Sequence, residues 1–194
     1  PKIYTAVVLD FETGGLNCVD CACTQLAMQA VRLDNWTVLE RYAKYIAPYR
    51  KLDIGGAPKR KVLKTRQALV QEEAGMSMKY EPVALTYSAI TMDMLYNQGV
   101  DLKEVAQDVI EFGKRNTLSK GQQCKPILIG QNITFDIGFL QQLIAYAGLM
   151  PEFEKVFAGK VDFYGNFQPH YVDTIDLGRF AFAHLPDVTS YKLE

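Results

Sequence analysis

No apolar run in the 194-residue chain is long enough to cross a bilayer, and neither charge sign prevails, with 21 Lys and Arg against 22 Asp and Glu. The first absence excludes a transmembrane helix. The chain also opens on Pro1-Lys2 directly before an apolar segment, so no secretory signal is expected and a cytoplasmic protein is. The second absence, a formal net charge of −1, excludes a whole-molecule electrostatic footprint. Any attraction to nucleic acid must then come from a local basic patch. Cysteine is scarce: Cys18, Cys21 and Cys23 crowd into six residues and Cys124 stands apart, which argues against a disulfide framework. The spacing of Cys18 and Cys21 suits zinc, with Cys23 and Cys124 to complete four thiolates, but no second paired element supports it and reduced thiols are the expected state. Internal repeats and low-complexity tracts are lacking too. What remains is 48% apolar residues, enough for one substantial core in a single domain.

Ile3 to Leu9 is a short apolar, partly β-branched run that predicts a buried central strand with Asp10 at its C-terminal end. Gln25 to Leu33 and Val38 to Ile46 read as two further strands around a turn at Asn35-Trp36, completing an antiparallel meander. Residues 48–81 break this pattern and read as a basic insertion carrying Lys59, Arg60, Lys61, Lys64 and Arg66. Such a cluster suits a phosphate backbone, although Glu72 and Glu73 begin to balance it as on a solvated face. Thr91 starts a short helix, and Asp101 to Asn116 places Leu102, Val105, Ala106, Val109, Ile110 and Phe112 near one face of a longer one. Pro126 to Gly130 predicts a second buried strand, and Asp136 to Gly148 a helix closed by glycine. Strands followed by alternating strand and helix predict an α/β fold, a mixed sheet flanked by helices.

Period-2 alternation puts Asp10 and Glu12 on the same side of their strand, a few ångströms apart. Two carboxylates that close need a cation or a shared proton, so the pair is a candidate divalent-metal site. Gly130 to Asp136 leads a second core strand into a helix with a carboxylate at its start. Asp136 is either a simple N-cap or, with Asp10 and Glu12, the third member of a cluster suited to two hard cations.

Asp10-Phe11-Glu12-Thr13-Gly14-Gly15-Leu16 resembles the first motif of the DEDD superfamily of 3′-to-5′ exonucleases, in particular its proofreading group typified by the DNA polymerase III epsilon subunit. Residues 131–140 resemble the second motif, residues 89–95 the segment between, and residues 172–179 the stretch leading to the last motif. The resemblance implies an RNase H-like fold. It also implies hydrolysis of the 3′-terminal phosphodiester of single-stranded DNA, or of RNA, by two Mg²⁺ or Mn²⁺ ions in proofreading or repair. Asp10 would bridge the metals, Glu12 would hold the one on the nucleophile side, and Asp136 the other, directly or through water. Thr13, Gly15 and Leu16 would lie against the terminal nucleotide, with Leu16 as an apolar wedge, and Asn132, Phe135 and Phe139 would line the same cleft. A polymerase subunit is the protein partner implied, and no membrane is.

The sequence departs from that family at its end. A His or Tyr followed four or five residues later by Asp, which would supply the general base and fourth carboxylate, is missing. His170 leads to Ile175 and His184 to Thr189; Tyr171 has Asp176 five places on, but Asp173 and Asp176 align better with the preceding segment. Ser190 reads as the cap of a helix that Glu194 cuts short, so residues 1–194 are expected to be a single exonuclease domain lacking its C-terminal motif. A catalytically silent nucleic-acid-binding or scaffold module is the alternative. If the chain is active as it stands, His170 or Asp176 is expected to replace the base.

Overall fold

The computed structural model describes residues 1–52, 63 and 65–192. In chain order it contains β1 (Thr5–Thr13), β2 (Cys23–Arg32), β3 (Val38–Tyr45), α1 (Arg66–Gly75), α2 (Pro82–Ser88), α3 (Met92–Gln98) and α4 (Leu102–Arg115). There follow β4 (Ile127–Gly130), α5 (Ile133–Tyr146), α6 (Met150–Val156), β5 (Gly159–Val161), β6 (Phe167–Pro169), β7 (Tyr171–Asp173) and α7 (Thr174–Phe182). Five strands form one mixed sheet in the order β3-β2-β1-β4-β7, and β5 and β6 make a separate hairpin. The meander is antiparallel, whereas β4 joins β1 and β7 joins β4 in parallel. This is the α/β, RNase H-like arrangement of a mixed sheet flanked by helices.

β1 is central because its side chains are apolar on both faces. Val7, Leu9 and Phe11 enter the main core with Val105, Ala106, Val109 and Ile110 of α4, and with Ile137, Leu140 and Leu143 of α5. The even-numbered face is covered more thinly, by Ala6, Val31 and Ile129 with Val8, Leu33, Ile127 and Val172 around them. Asp10 and Glu12 belong to this second face, because alternation carries it on past Val8.

Several expectations shift by a few residues. β1 does not stop at Leu9: β2 pairs with it as far as Thr13 opposite Cys23, so both carboxylates lie inside the strand. α5 starts at Ile133, three residues before Asp136, because Asn132 takes a left-handed conformation (φ 52°) that turns the chain into the helix. Asp136 therefore sits in the first turn and is not the N-cap. The insertion at 48–81 contains α1, and Lys51 N–H donates to the Met76 carbonyl at 2.7 Å to close its base. Lys59, Arg60, Lys61 and Lys64 lie outside the described residues. No helix follows Ser190 up to Lys192, although the Ser190 hydroxyl accepts from Lys192 N–H at 3.2 Å.

Candidate active site

The site forms where the strands end. β4 pairs with β1 only along Ala6 to Val8, so β1 runs on alone on that side while the chain turns into α5. Asp136 fills the gap: it is 3% exposed, and its Oδ1 accepts from Phe11 N–H at 2.8 Å. That bond ties the helix to the strand residue between Asp10 and Glu12. Burial, then the charges of Asp10 and Glu12, push the Asp136 carboxyl up to about 7, against opposing backbone hydrogen bonds. Burial also raises Asp10, and burial followed by the charge of Asp10 raises Glu12. The charge of Asp10 thus disfavours ionisation of both Glu12 and Asp136, and that of Glu12 disfavours ionisation of Asp136. Among the described residues, no three His, Cys, Asp or Glu side chains already stand in a metal-holding group. The oxygen donors suit hard divalent cations, and their closing around one is not preset.

The loop after β1 is held from several directions. Thr13 is buried and its hydroxyl donates to the Gly15 carbonyl at 2.7 Å. Gly14 N–H donates to the Ala22 carbonyl at 2.8 Å, and the Gly14 carbonyl accepts from Glu81 N–H at 2.7 Å. A Cβ on Gly14 would lie 2.3 Å from the Lys79 carbonyl oxygen, and one on Gly15 2.6 Å from Cys21 Sγ. Glycine is therefore needed here for packing within the chain. Farther round, the Gln142 amide of α5 donates to the carbonyls of Cys18 (2.6 Å) and Cys21 (2.9 Å). Its oxygen accepts from the Tyr49 hydroxyl at 2.5 Å, and that hydroxyl accepts from Cys23 N–H at 2.7 Å. Leu16, 84% exposed, projects from this braced loop.

Asn132 is exposed at the start of α5, and its N–H donates to Asp173 Oδ1 at 3.1 Å. Asp173 also caps α7 by accepting from Ile175 N–H at 2.9 Å, so one carboxylate fixes both helix starts. Phe135 is half-buried, but Phe139 is fully buried and packs on Phe135 with ring centroids 5.0 Å apart. Phe139 is a core residue and does not line the cleft, because one further helical turn carries it beneath the sheet. The roles of Gln142 and Asp173 escaped the sequence reading; the second of two adjacent amides, in line with the apolar positions of α5, and an Asp ahead of Thr174-Ile175 were the signals available.

The cysteines do not form a zinc centre. Cys18 and Cys21 lie beyond the C-terminal end of β1 and Cys23 pairs with its last residue, whereas Cys124 precedes β4 near the opposite end, and all four are free. His170 opens β7 at that opposite end too, its carbonyl accepting from Leu128 N–H at 3.0 Å. Asp176 is exposed on α7 and pairs with Arg179 at 3.5 Å. Neither is joined to the three carboxylates.

No protein-family model matches the chain. Its fold is similar to that of exonuclease I from E. coli bound to a dT13 oligonucleotide, with a TM-score of 0.62 and 15% identity over 98% of this chain. An exonuclease I complex with SSB-Ct gives a TM-score of 0.60 at 16% identity over 98% of this chain. The zinc-bound form of the E. coli exonuclease I complex with single-stranded DNA gives 0.59 at 17% identity over 97%. The chain spans about a third of the length of these proteins, 32% in each case.

Proposed function

We propose that this chain is the nuclease unit of a metal-dependent 3′-to-5′ exonuclease acting on single-stranded DNA. The observation that carries this reading is the meeting of Asp10, Glu12 and Asp136 at the open end of the sheet, where burial raises all three carboxyls and the charge of Asp10 raises Glu12 and Asp136 further. The likeness of the fold to exonuclease I supports it, since those proteins were solved with bound oligonucleotides.

Asp10 and Glu12 would hold one Mg²⁺ or Mn²⁺, and Asp10 with Asp136 a second. Bound there, the cations supply an activated water and offset charge at phosphorus and on the leaving oxygen. The chain's own residues position the strand. Phe11 N–H anchors Asp136, so the third carboxylate keeps its place beside the other two. The braced loop offers Leu16 as an apolar surface for the terminal base, and Thr13 and Gly15 hold the loop's backbone below it. Asn132 and Phe135, at the start of α5, would line the opposite side of the cleft. Proofreading and a polymerase partner rest on the epsilon-type motifs alone, and the exonuclease I likeness adds nothing to them.

A second reading, a silent nucleic-acid-binding module, draws on the same site: among the described residues, no His or Tyr hydrogen-bonds to the three carboxylates or contributes to their shifts. One assay separates the two. A 5′-labelled single-stranded DNA should shorten stepwise from its 3′ end with Mg²⁺ or Mn²⁺, and Asp10→Ala should lower the rate by about a hundredfold or more, as loss of several kcal/mol of metal stabilisation requires. Equal shortening by Asp10→Ala would sink the proposal, and binding without shortening would favour the silent module. A matched RNA strand in the same assay decides between the two nucleic acids.

A further inference from the structure

At the other end of the sheet, Lys114, Lys120, Lys125 and Lys155 line a cleft of about 740 Å³ together with Thr117 and Ser119. No Asp or Glu lines it among the described residues. Three elements build it: the C-terminal end of α4, the segment before β4, and the C-terminal end of α6. Its position is fixed because Ile3 N–H, just ahead of β1, donates to Ser119 Oγ at 2.8 Å. Lys114 is partly neutralised by Glu111 at 3.1 Å, and Lys125 donates to the Glu154 carbonyl at 3.0 Å. Lys120 and Lys155 are exposed and have no acidic partner among the described residues.

We infer that this cleft binds the phosphodiester backbone of nucleic acid at a distance from the carboxylates. The inference rests on the proposed nucleic-acid function for its choice of ligand. Lysine is a point charge that suits phosphate oxygens without dictating a bidentate geometry. The Thr117 hydroxyl donates to the Gly113 carbonyl at 2.8 Å, whereas Ser119, whose oxygen accepts from Ile3 N–H, keeps its own hydrogen to donate, a contact of the kind made to phosphate. The lining holds no aromatic ring on which a base would stack, so the surface reads backbone and not sequence. From Ile3 to Asp10 is about 25 Å along an extended chain. A strand reaching both places needs about seven stacked nucleotides at ~3.4 Å each.

The test measures binding, not hydrolysis. Fluorescein-labelled dT20 and dT5 are titrated in EDTA against the chain and against the Lys120→Glu/Lys155→Glu double variant. The two sites are exposed, so the variant is expected to fold, and its circular dichroism is compared with that of the parent. A second variant, Arg41→Glu/Lys103→Glu, makes the same charge change elsewhere on the surface. The cleft variant should bind dT20 about tenfold more weakly and lower the slope of log K against log salt by about two. Its dT5 affinity should change less than twofold. Unchanged dT20 binding, or an equal loss in the second variant, would overturn the inference. So would competition by polyglutamate as effective as that by unlabelled dT20, which would make an acidic peptide the better ligand. Failure of the shortening assay with this binding pattern intact would refute the nuclease reading and leave the cleft standing.

Discussion

Asp136 holds its proton more tightly in the folded chain than an ordinary aspartate does, at about 7 against 3.8. The native state is therefore favoured by this group below about pH 3.8, and the advantage is lost as pH rises towards 7. Asp136→Asn cannot ionise and keeps an oxygen to accept from Phe11 N–H. In EDTA its urea midpoint should gain on that of the parent between pH 5 and pH 8, and a divalent cation should offset that gain by stabilising the parent; parallel profiles would contradict this. The thiols differ as well. Burial pushes Cys23 up to about 12 and raises Cys21, whereas Cys18 is only half-buried. Iodoacetamide at pH 8 should modify Cys18 well before Cys23, as mass spectrometry of the folded protein would show. Asp10, Glu12 and Asp136 were legible in the sequence because alternation and a strand-to-helix junction fix where their side chains go. Gln142 and Asp173 were not, since each acts on backbone groups far away in the chain.

The loop between β1 and β2 depends on contacts that no single segment contains. Gly14→Ala would drive a Cβ onto the Lys79 carbonyl oxygen, and a destabilisation of about 1–3 kcal/mol is expected from urea denaturation. Gln142→Leu would leave the Cys18 and Cys21 carbonyls and the Tyr49 hydroxyl without their shared partner, again at about 1–3 kcal/mol. If Gln142 also positions Leu16, this variant should raise the KM for single-stranded DNA more than it lowers kcat; an unchanged KM would limit Gln142 to a structural role. Among the elements, α4 was legible almost to the residue because Asp101 caps it and its apolar face repeats over four turns. The start of α5 was misplaced because the turn depends on Asn132 in a left-handed conformation, which composition does not announce. α2, α6 and the β5–β6 hairpin are too short to show a period, and their boundaries follow from tertiary packing.

The molecule as a whole places its acidic groups at one end of a central strand and its lysine cleft at the other, while α4 and α5 cover only one face of the sheet. The meander and the mixed architecture were readable from local patterns. The pairing of β1 with β4 was not, because it joins residues separated by more than a hundred positions. That separation has a kinetic consequence. β1, β2 and β3 close through short connections, so they can pair early, whereas β4 must complete a long loop before it finds β1. In pulsed hydrogen exchange during refolding, amides of the β1–β2 ladder should gain protection before those of β4. Phe11 N–H, whose acceptor arrives with α5, should be protected only in the later phase. The acidic centre would then be the last part of the fold to assemble, so a chain still in the act of folding could engage neither metal nor substrate.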